Sequence, residues 1–528
     1  MPGPKLFTLT SSFVNNIPGN SNFTNVNLSP ILTFHFSNAI DHGSVGNAFS
    51  LTDHEGSSVS YSTSFENHDS SVVIRPSASL KPLTAYLLKA STGLQSQDSA
   101  HLKTAINLNF TTSIDSSDKF PRISDSALLT LVEQQTFKYF WDFGHPVSGL
   151  ARERMSSNDV VTTGGTGFGV MAILVGAQRN FITRVQALSR ITTIVNFYAN
   201  NVTPYHGAFP HWINGATGAT IPFSSQDDGG DLVETAYLMQ GLLTARQYFS
   251  STTDADEINL RNRINILWKQ VDWNWYRQNG QNTLCWHWSP NFNWSTNQQI
   301  NGWNEAMITY VLAASSPTDS VSKIVYDNGW ANNGNMRNGN SFFGIPLPLG
   351  PDYGGPLFFS HYSFLGINPN GLSDAYANYW TQDTAHARIN YLYCVNNPGH
   401  FAGYSNSCWG LTASDEQNGY DAHSPTNDKG VITPTAAISS LPYTPQESMS
   451  ALRFFYYKLG DKIWGQYGFI DAFNLTNVWY DSDFLAIDQG PQIIMIENYR
   501  SSLLWNLFMS CPEIKSGMKK LGFQSPYL

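Results

Sequence analysis

The sequence predicts a mainly α protein, an (α/α)6 barrel preceded by a small all-β sandwich. Apolar residues recur at strand spacing up to about Thr112 and at helical spacing from Ser124 onward. A length of 528 residues exceeds one ordinary compact domain. The helical segments are separated by long loops rich in Trp, Gly, Asn and Pro, which a ring of inner and outer helices would gather at one end around a cleft.

The elements follow in order. Short β-type runs at Ile31–Phe36, Val59–Ser62, Ser71–Ile74, Ala85–Leu88 and Ile106–Phe110, punctuated by Gly, Ser, Asn and Pro, predict an antiparallel sandwich over residues 1–115. This region resembles the immunoglobulin-like modules at the front of many bacterial surface glycosidases. Residues 116–123 read as a linker. Residues 124–528 form the predicted barrel, with helical periods at Leu128–Phe143, Gly167–Asn180, Arg184–Tyr198, Asp231–Phe249, Ile258–Val271, Asn304–Ala314, Ser373–Val395, Gln446–Leu459 and Gln492–Met509.

Composition narrows the function. Charged residues are only 13%, while aromatics reach 14% with 15 Trp and 25 Tyr. Such rings pack on the apolar faces of pyranoses, and Asn, Ser, Asp and indole N–H groups meet the hydroxyls; in many positions the rings are simply core. A net charge of -10 with few Lys and Arg argues against nucleic acid and anionic membrane surfaces. No apolar run approaches a membrane span, and Met1-Pro2-Gly3-Pro4 is no signal peptide. The low-charge composition nevertheless predicts export, to the periplasm or outer cell surface, after removal of a signal. Cys285, Cys394, Cys408 and Cys511 form no disulfide framework, although a Cys394–Cys408 bridge is open.

Carboxylates concentrate at Asp227-Asp228-Gly229-Gly230-Asp231-Leu232-Val233-Glu234. If the helix is already wound at Asp227, then Asp227, Asp231 and Glu234 share one face, where like charges either stay in water or hold something polar. Capping is the competing account: Asp227 or Asp231 as N-cap, with Glu234 closing an Asp-x-x-Glu box. Glu305 follows Gly302-Trp303-Asn304 at a loop-to-helix junction, where an adjacent indole would raise its pKa and suit it as a general acid. Asp488 before Gln489-Gly490-Pro491 reads equally well as an N-cap. Glu497 and Arg500 read as an i, i+3 ion pair. The glycine-rich Gly164–Gly169 run lacks a P-loop ending and predicts close helix packing. No zinc-type His spacing occurs, so neither a catalytic metal nor a cofactor is expected.

Six ordered motifs, Thr163–Gly169, Asp227–Leu238, Asn301–Glu305, Phe359–Phe364, Cys408–Asp415 and Ile487–Pro491, resemble the glucoamylase-like domain of glycoside hydrolase family 144. The resemblance implies an (α/α)6 barrel and a metal-free inverting hydrolase of β-1,2-glucan or its oligosaccharides, not of starch. It places Asp488 in the cleft as general base opposite Glu305, with Asp227, Asp231 and Glu234 on the floor binding hydroxyls or positioning water. Asp231 or Glu234 remains an alternative base. Loop aromatics and histidines His211, Trp212, Trp286, Trp288, Trp303, His361, Tyr362 and Trp409 are the candidate substrate-binding residues.

The expected partner is a β-linked glucose oligosaccharide or polysaccharide, bound by a monomer. Competing classes are a polysaccharide lyase, which needs a Tyr or His base and a cation, and a surface glycan-binding protein without turnover. Endo-cleavage and release of the disaccharide sophorose from a chain end both remain open. The loops Asn332–Phe359 and Thr412–Gly430 are expected to decide between them.

Overall fold

The computed structural model describes residues 6–19 and 22–528. Residues 1–5 and 20–21 of the predicted sandwich lie outside them.

In the N-terminal region, β1 (Leu9–Val14), β2 (Ile17–Pro18), β3 (Asn22–Val26), β4 (Leu32–Phe36), β5 (Phe49–Asp53), β6 (Tyr61–Glu66), β7 (Ser71–Pro76), β8 (Ala85–Ala90) and β9 (Ile106–Thr112) build two sheets. Their orders are β2-β1-β4-β7-β6 and β3-β9-β8-β5. Alternation makes the core: Leu32, Phe34 and Phe36 are buried while Thr33 and His35 are only half-buried. One pairing departs from the antiparallel expectation, because β3 runs parallel to β9. A short helix, α1 (His42–Ala48), capped by the Asp41 side chain, leads into β5.

The barrel follows as α2 (Asp125–Trp141), α3 (Thr163–Gln178), α4 (Arg184–Asn200), α5 (Leu232–Tyr248), α6 (Ala255–Gln270), α7 (Met307–Ser315), α8 (Lys323–Asn328), α9 (Tyr379–Asn396), α10 (Pro434–Ser439), α11 (Pro445–Ile463), α12 (Ala486–Ser501), α13 (Leu503–Met509) and α14 (Pro512–Leu521). α3, α5, α7 and α10 are buried on nearly every side, while α2, α4, α6 and α11 bury one face. That alternation is the inner and outer ring. The fourth inner position is taken by two 3-10 turns, Leu357–Ser360 and Tyr362–Leu365, against which α9 and α12 pack. The predicted helix Gln492–Met509 is instead two, broken at Ser502 with φ 58°.

The glycine-rich run behaves as expected. A Cβ on Gly167 would lie 2.2 Å from the Tyr237 carbonyl oxygen, and one on Gly241 2.2 Å from the Gly167 carbonyl oxygen. Helices α3 and α5 therefore touch backbone to backbone, and only glycine fits.

The chain divides into two compact units, 1–118 with 399–404 and 474–479, and 119–398 with 405–473 and 480–528. The expected boundaries kept residues 124–528 whole, so the two short segments in the first unit are a difference. All four cysteines are buried and free, Cys394 and Cys408 included. No described helix is long and apolar enough to cross a membrane.

Candidate active site

The helical unit holds a cavity of about 380 Å3 whose wall includes Glu153, Arg154, His211, Trp212, Phe223, Glu234, Tyr237, Trp286, Glu305, Tyr362 and Tyr420. One carboxylate cluster enters this space through Glu234, and a second lies outside the lining and is joined to it by Arg154.

The first is built where α5 begins. The helix starts at Leu232, not at Asp227, so Asp227 lies in the preceding loop and the predicted shared helix face does not form. Asp231 is the N-cap, its Oδ1 accepting from the Val233 and Glu234 amides at 3.0 and 2.9 Å. Its Oδ2 lies 2.9 Å from His211 Nδ1 and accepts from Trp286 Nε1 at 3.3 Å. Burial alone would raise this carboxyl, but His287, His211 and the helix amides outweigh it and hold it below the usual range. His287 Nδ1 is 2.9 Å from Asp227 Oδ2, and the acids around it raise its pKa despite burial. His211 is likewise raised, to about 9, by Glu234 and Asp231 against the cost of burial.

Glu234 closes no capping box. Its Oε2 accepts from the Gly164 amide at 2.6 Å and from Thr162 Oγ1 at 2.9 Å. Thr162 is the N-cap of α3 yet gives its hydroxyl to Glu234. A Cβ on Gly164 would sit 2.7 Å from the same oxygen, so the glycine lets the carboxylate reach the α3 backbone. Burial raises the Glu234 pKa.

Glu305 immediately precedes the cap of α7, its backbone oxygen accepting from Ser363 Oγ and Tyr237 O–H. Loss of solvent, with added repulsion from Asp231 and Glu234, pushes its carboxyl up to about 7. The neighbours that dry it are the cavity wall, including Tyr237 and Tyr362. Trp303 does not line the cavity; it is 5% exposed and stacks with Phe364 and Tyr379.

The second cluster centres on α12. Asp488 is not an N-cap, because Leu485 holds that place and Asp488 is the third helical residue. It is buried behind Ile487, which lines the cavity. Burial and the Asp415 charge raise it to about 7, against the lowering effect of a hydrogen bond with Asp471. Asp471, fully buried, is raised by burial and then by Asp488 and Asp415, so the two carboxyls titrate as a pair. Arg154 Nη1 takes both Asp415 oxygens at 2.8 and 2.7 Å, and its Nε reaches Glu153 Oε2 at 2.9 Å. Asp415, Asp471 and Asp481 present oxygens within 4.8 Å of one another, the one described group whose spacing and hardness would suit a divalent cation.

A family model described as "Putative glucoamylase" matches residues 297–512, and one described as a bacterial Ig-like domain matches residues 11–112. The solved structure of an endo-β-1,2-glucanase from Chitinophaga pinensis, in complex with sophorotriose and glucose, is 50% identical over 77% of this chain and all of that one, with a TM-score of 0.75. The chain belongs to the glucoamylase-like family, of glycoside hydrolase family 144 type. An exo β-1,2-glucooligosaccharide sophorohydrolase (non-reducing end) from Parabacteroides distasonis is 45% identical over 421 residues, which are 76% of this chain and 58% of that protein. The chain thus spans little more than half the length of that curated relative. A β-1,2-glucanase structure from Parabacteroides distasonis is 36% identical, covering 98% of this chain and 74% of that one, with a TM-score of 0.74.

Within this family 144-type domain the predicted site residues separate by position. Glu305, Glu234, His211, Trp212, Trp286 and Tyr362 line the cavity. Asp227 and Asp231 do not form its floor; both are buried behind it, paired with His287 and His211. Trp409 is fully buried, its indole donating to the Glu447 carbonyl. His361 is buried with Nε2 3.0 Å from Ser440 Oγ. Trp288 turns away to His206 and Trp275. Sequence reasoning missed Glu153, Arg154 and Tyr420 in the wall and Asp415 and Asp471 behind it. A Glu-Arg pair in so charge-poor a chain was one available signal.

Proposed function

We propose that this chain is an inverting glycoside hydrolase of β-1,2-glucan or β-1,2-glucooligosaccharides. The observation that carries the proposal is the set of three carboxylates, Glu153, Glu234 and Glu305, in the wall of one aromatic-lined cavity, with Glu305 pushed up to about 7. At neutral pH and below, a substantial share of Glu305 is protonated and able to act as general acid. It gives its proton to the glycosidic oxygen as the C1–O bond breaks; a water attacks C1 from the other face and loses its proton to the base. Asp488 is the proposed base, acting beside Asp471 in the second cluster. Glu234 is the second reading, favoured by its place in the wall itself. Asp231 fits that role poorly, since both its oxygens are committed to the cap, His211 and Trp286.

Trp212, Trp286, Phe223 and Tyr362 supply faces for glucosyl rings. The relatives supply the linkage, because β-1,2-glucans and their oligosaccharides are what those proteins are described as cleaving. Composition supports export. The hairpin Ala413–Ala422 places Tyr420 in the wall, while the stretch 332–359 contributes Phe358. Chromatography of the products from linear β-1,2-glucan beside its short oligosaccharides tests the proposal. A ladder of oligosaccharides marks internal cleavage, a single disaccharide marks release from an end, and no product from either substrate overturns the reading.

A further inference from the structure

A second cavity, of about 240 Å3, lies elsewhere on the helical unit and shares no wall residue with the candidate active site. It is lined by Asp272, Asn274, Trp275, Asn279, Gly280 and Trp294. Trp275 is 39% exposed, a large apolar face left in water. Its orientation is fixed from several sides. His206 stacks on it at 3.7 Å between ring centres and 16° between planes, and Trp288 meets it edge-on at 6.3 Å. The Trp294 indole stands 6.2 Å away, tilted by 34°, and is itself braced edge-on by Tyr276 at 5.9 Å.

The polar rim is equally set. Asp272 Oδ1 accepts from the Trp275 amide at 2.9 Å, which holds this carboxylate in the cavity lining. Gln278, Asn279 and Gly280 run through left-handed backbone, φ 44°, 67° and 86°, a tight turn closed by Arg277 bonds to the Gly280 and Gln281 carbonyls. Arg277 is thereby spent on its own loop, and the Asn279 side chain makes no hydrogen bond to another described residue.

Pre-set indole faces ringed by amide and carboxylate groups suit a neutral pyranose, whose apolar face stacks while its hydroxyls meet the rim. An anionic ligand would face Asp272, and among the described residues the neighbouring Arg277 is already bonded to Asn274, Gly280 and Gln281. We propose that this shelf is a non-catalytic binding site for neutral β-linked glucan, holding a second stretch of the polymer whose cleavage is proposed above. The inference rests on that reading for the identity of the sugar. A chain long enough to touch both places gains affinity through the high local concentration of its second segment, and a short oligosaccharide does not.

Trp275→Ala and the double variant with Trp294→Ala test this, and circular dichroism checks that both variants are folded. Binding is read by retardation in native gels cast with linear β-1,2-glucan and by titration calorimetry with the polymer. Turnover is read on β-1,2-linked oligosaccharides of a few glucose units. The expected result is polymer affinity weakened about tenfold, the size of one lost aromatic contact, with oligosaccharide turnover within about twofold of wild type. Unchanged polymer affinity in folded variants overturns the shelf. Absence of turnover in the wild type would instead fall on the reading of the first cavity, and polymer retention lost with Trp275 would still support the shelf.

Discussion

Glu305 stands between two environments, a helix cap behind it and an aromatic wall in front, and its proton is the most consequential one in the molecule. Glu305→Gln should lower turnover by about 10²–10⁴-fold with the fold intact, as loss of a general acid does. Because the acid must be protonated and the proposed base Asp488, also raised to about 7, must be ionised, kcat/KM should peak near pH 7 and fall on either side. The same shift has a stability consequence of definite sign. A carboxyl raised from 4.5 to about 7 on folding stabilises the native state below pH 4.5, and that contribution is lost as pH rises through 7. Glu305→Gln should therefore melt higher than wild type at pH 8, with little difference at pH 4.5. A thermal melt series at the two values checks this, and equal melting temperatures at pH 8 would mean that the carboxyl is not raised. Residue types were legible at this scale, but facing was not. Trp212 and Trp303 sit in similar polar loops, yet one lines the cavity and the other is packed under it. Asp415 lay in a quoted motif, but its meaning comes from Arg154, 261 residues away, which no local spacing reports.

Helices were the most legible level, because apolar periodicity survives wherever a helix has one wet face. The inner helices α3, α5 and α7 were legible too, although buried on nearly every side, whereas α10 and the 3-10 turns at Leu357–Leu365 were too short to read. The Glu497 and Arg500 pairing was misread. Both sit on α12, but Glu497 meets Arg179, the C-cap of α3, at 2.6 Å, and Arg500 meets Glu133 on α2 at 2.5 Å. Tertiary partners replaced the helical neighbour. The α3–α5 contact gives this scale its prediction. Gly167→Ala would drive a methyl to within 2.2 Å of the Tyr237 carbonyl, so the two helices must part. We expect destabilisation of at least about 1–3 kcal/mol, together with reduced turnover as Glu234 leaves Thr162 and Gly164. Denaturant unfolding measures the first; a variant as stable as wild type would refute the contact.

At the scale of the whole molecule, the two folds were visible as a change of period from two residues to about 3.6, and the strand alternation at Leu32–Phe36 is its simplest part. What period could not reveal is that 399–404 and 474–479 group with the first unit, since these segments carry no pattern of their own. A chain beginning at Ser124 should keep turnover per folded molecule on short oligosaccharides, because every wall residue of the cavity lies in the second unit. Its soluble yield should drop, as those segments lose the rest of their unit. A folded, soluble truncation with no activity would place part of the site before residue 124. The claim on which all of this rests is that acid and base act on opposite faces of the sugar. NMR of the first product released from β-1,2-glucan reads that directly: the account predicts the α-anomer before mutarotation, and a first product in the β-anomer would contradict it.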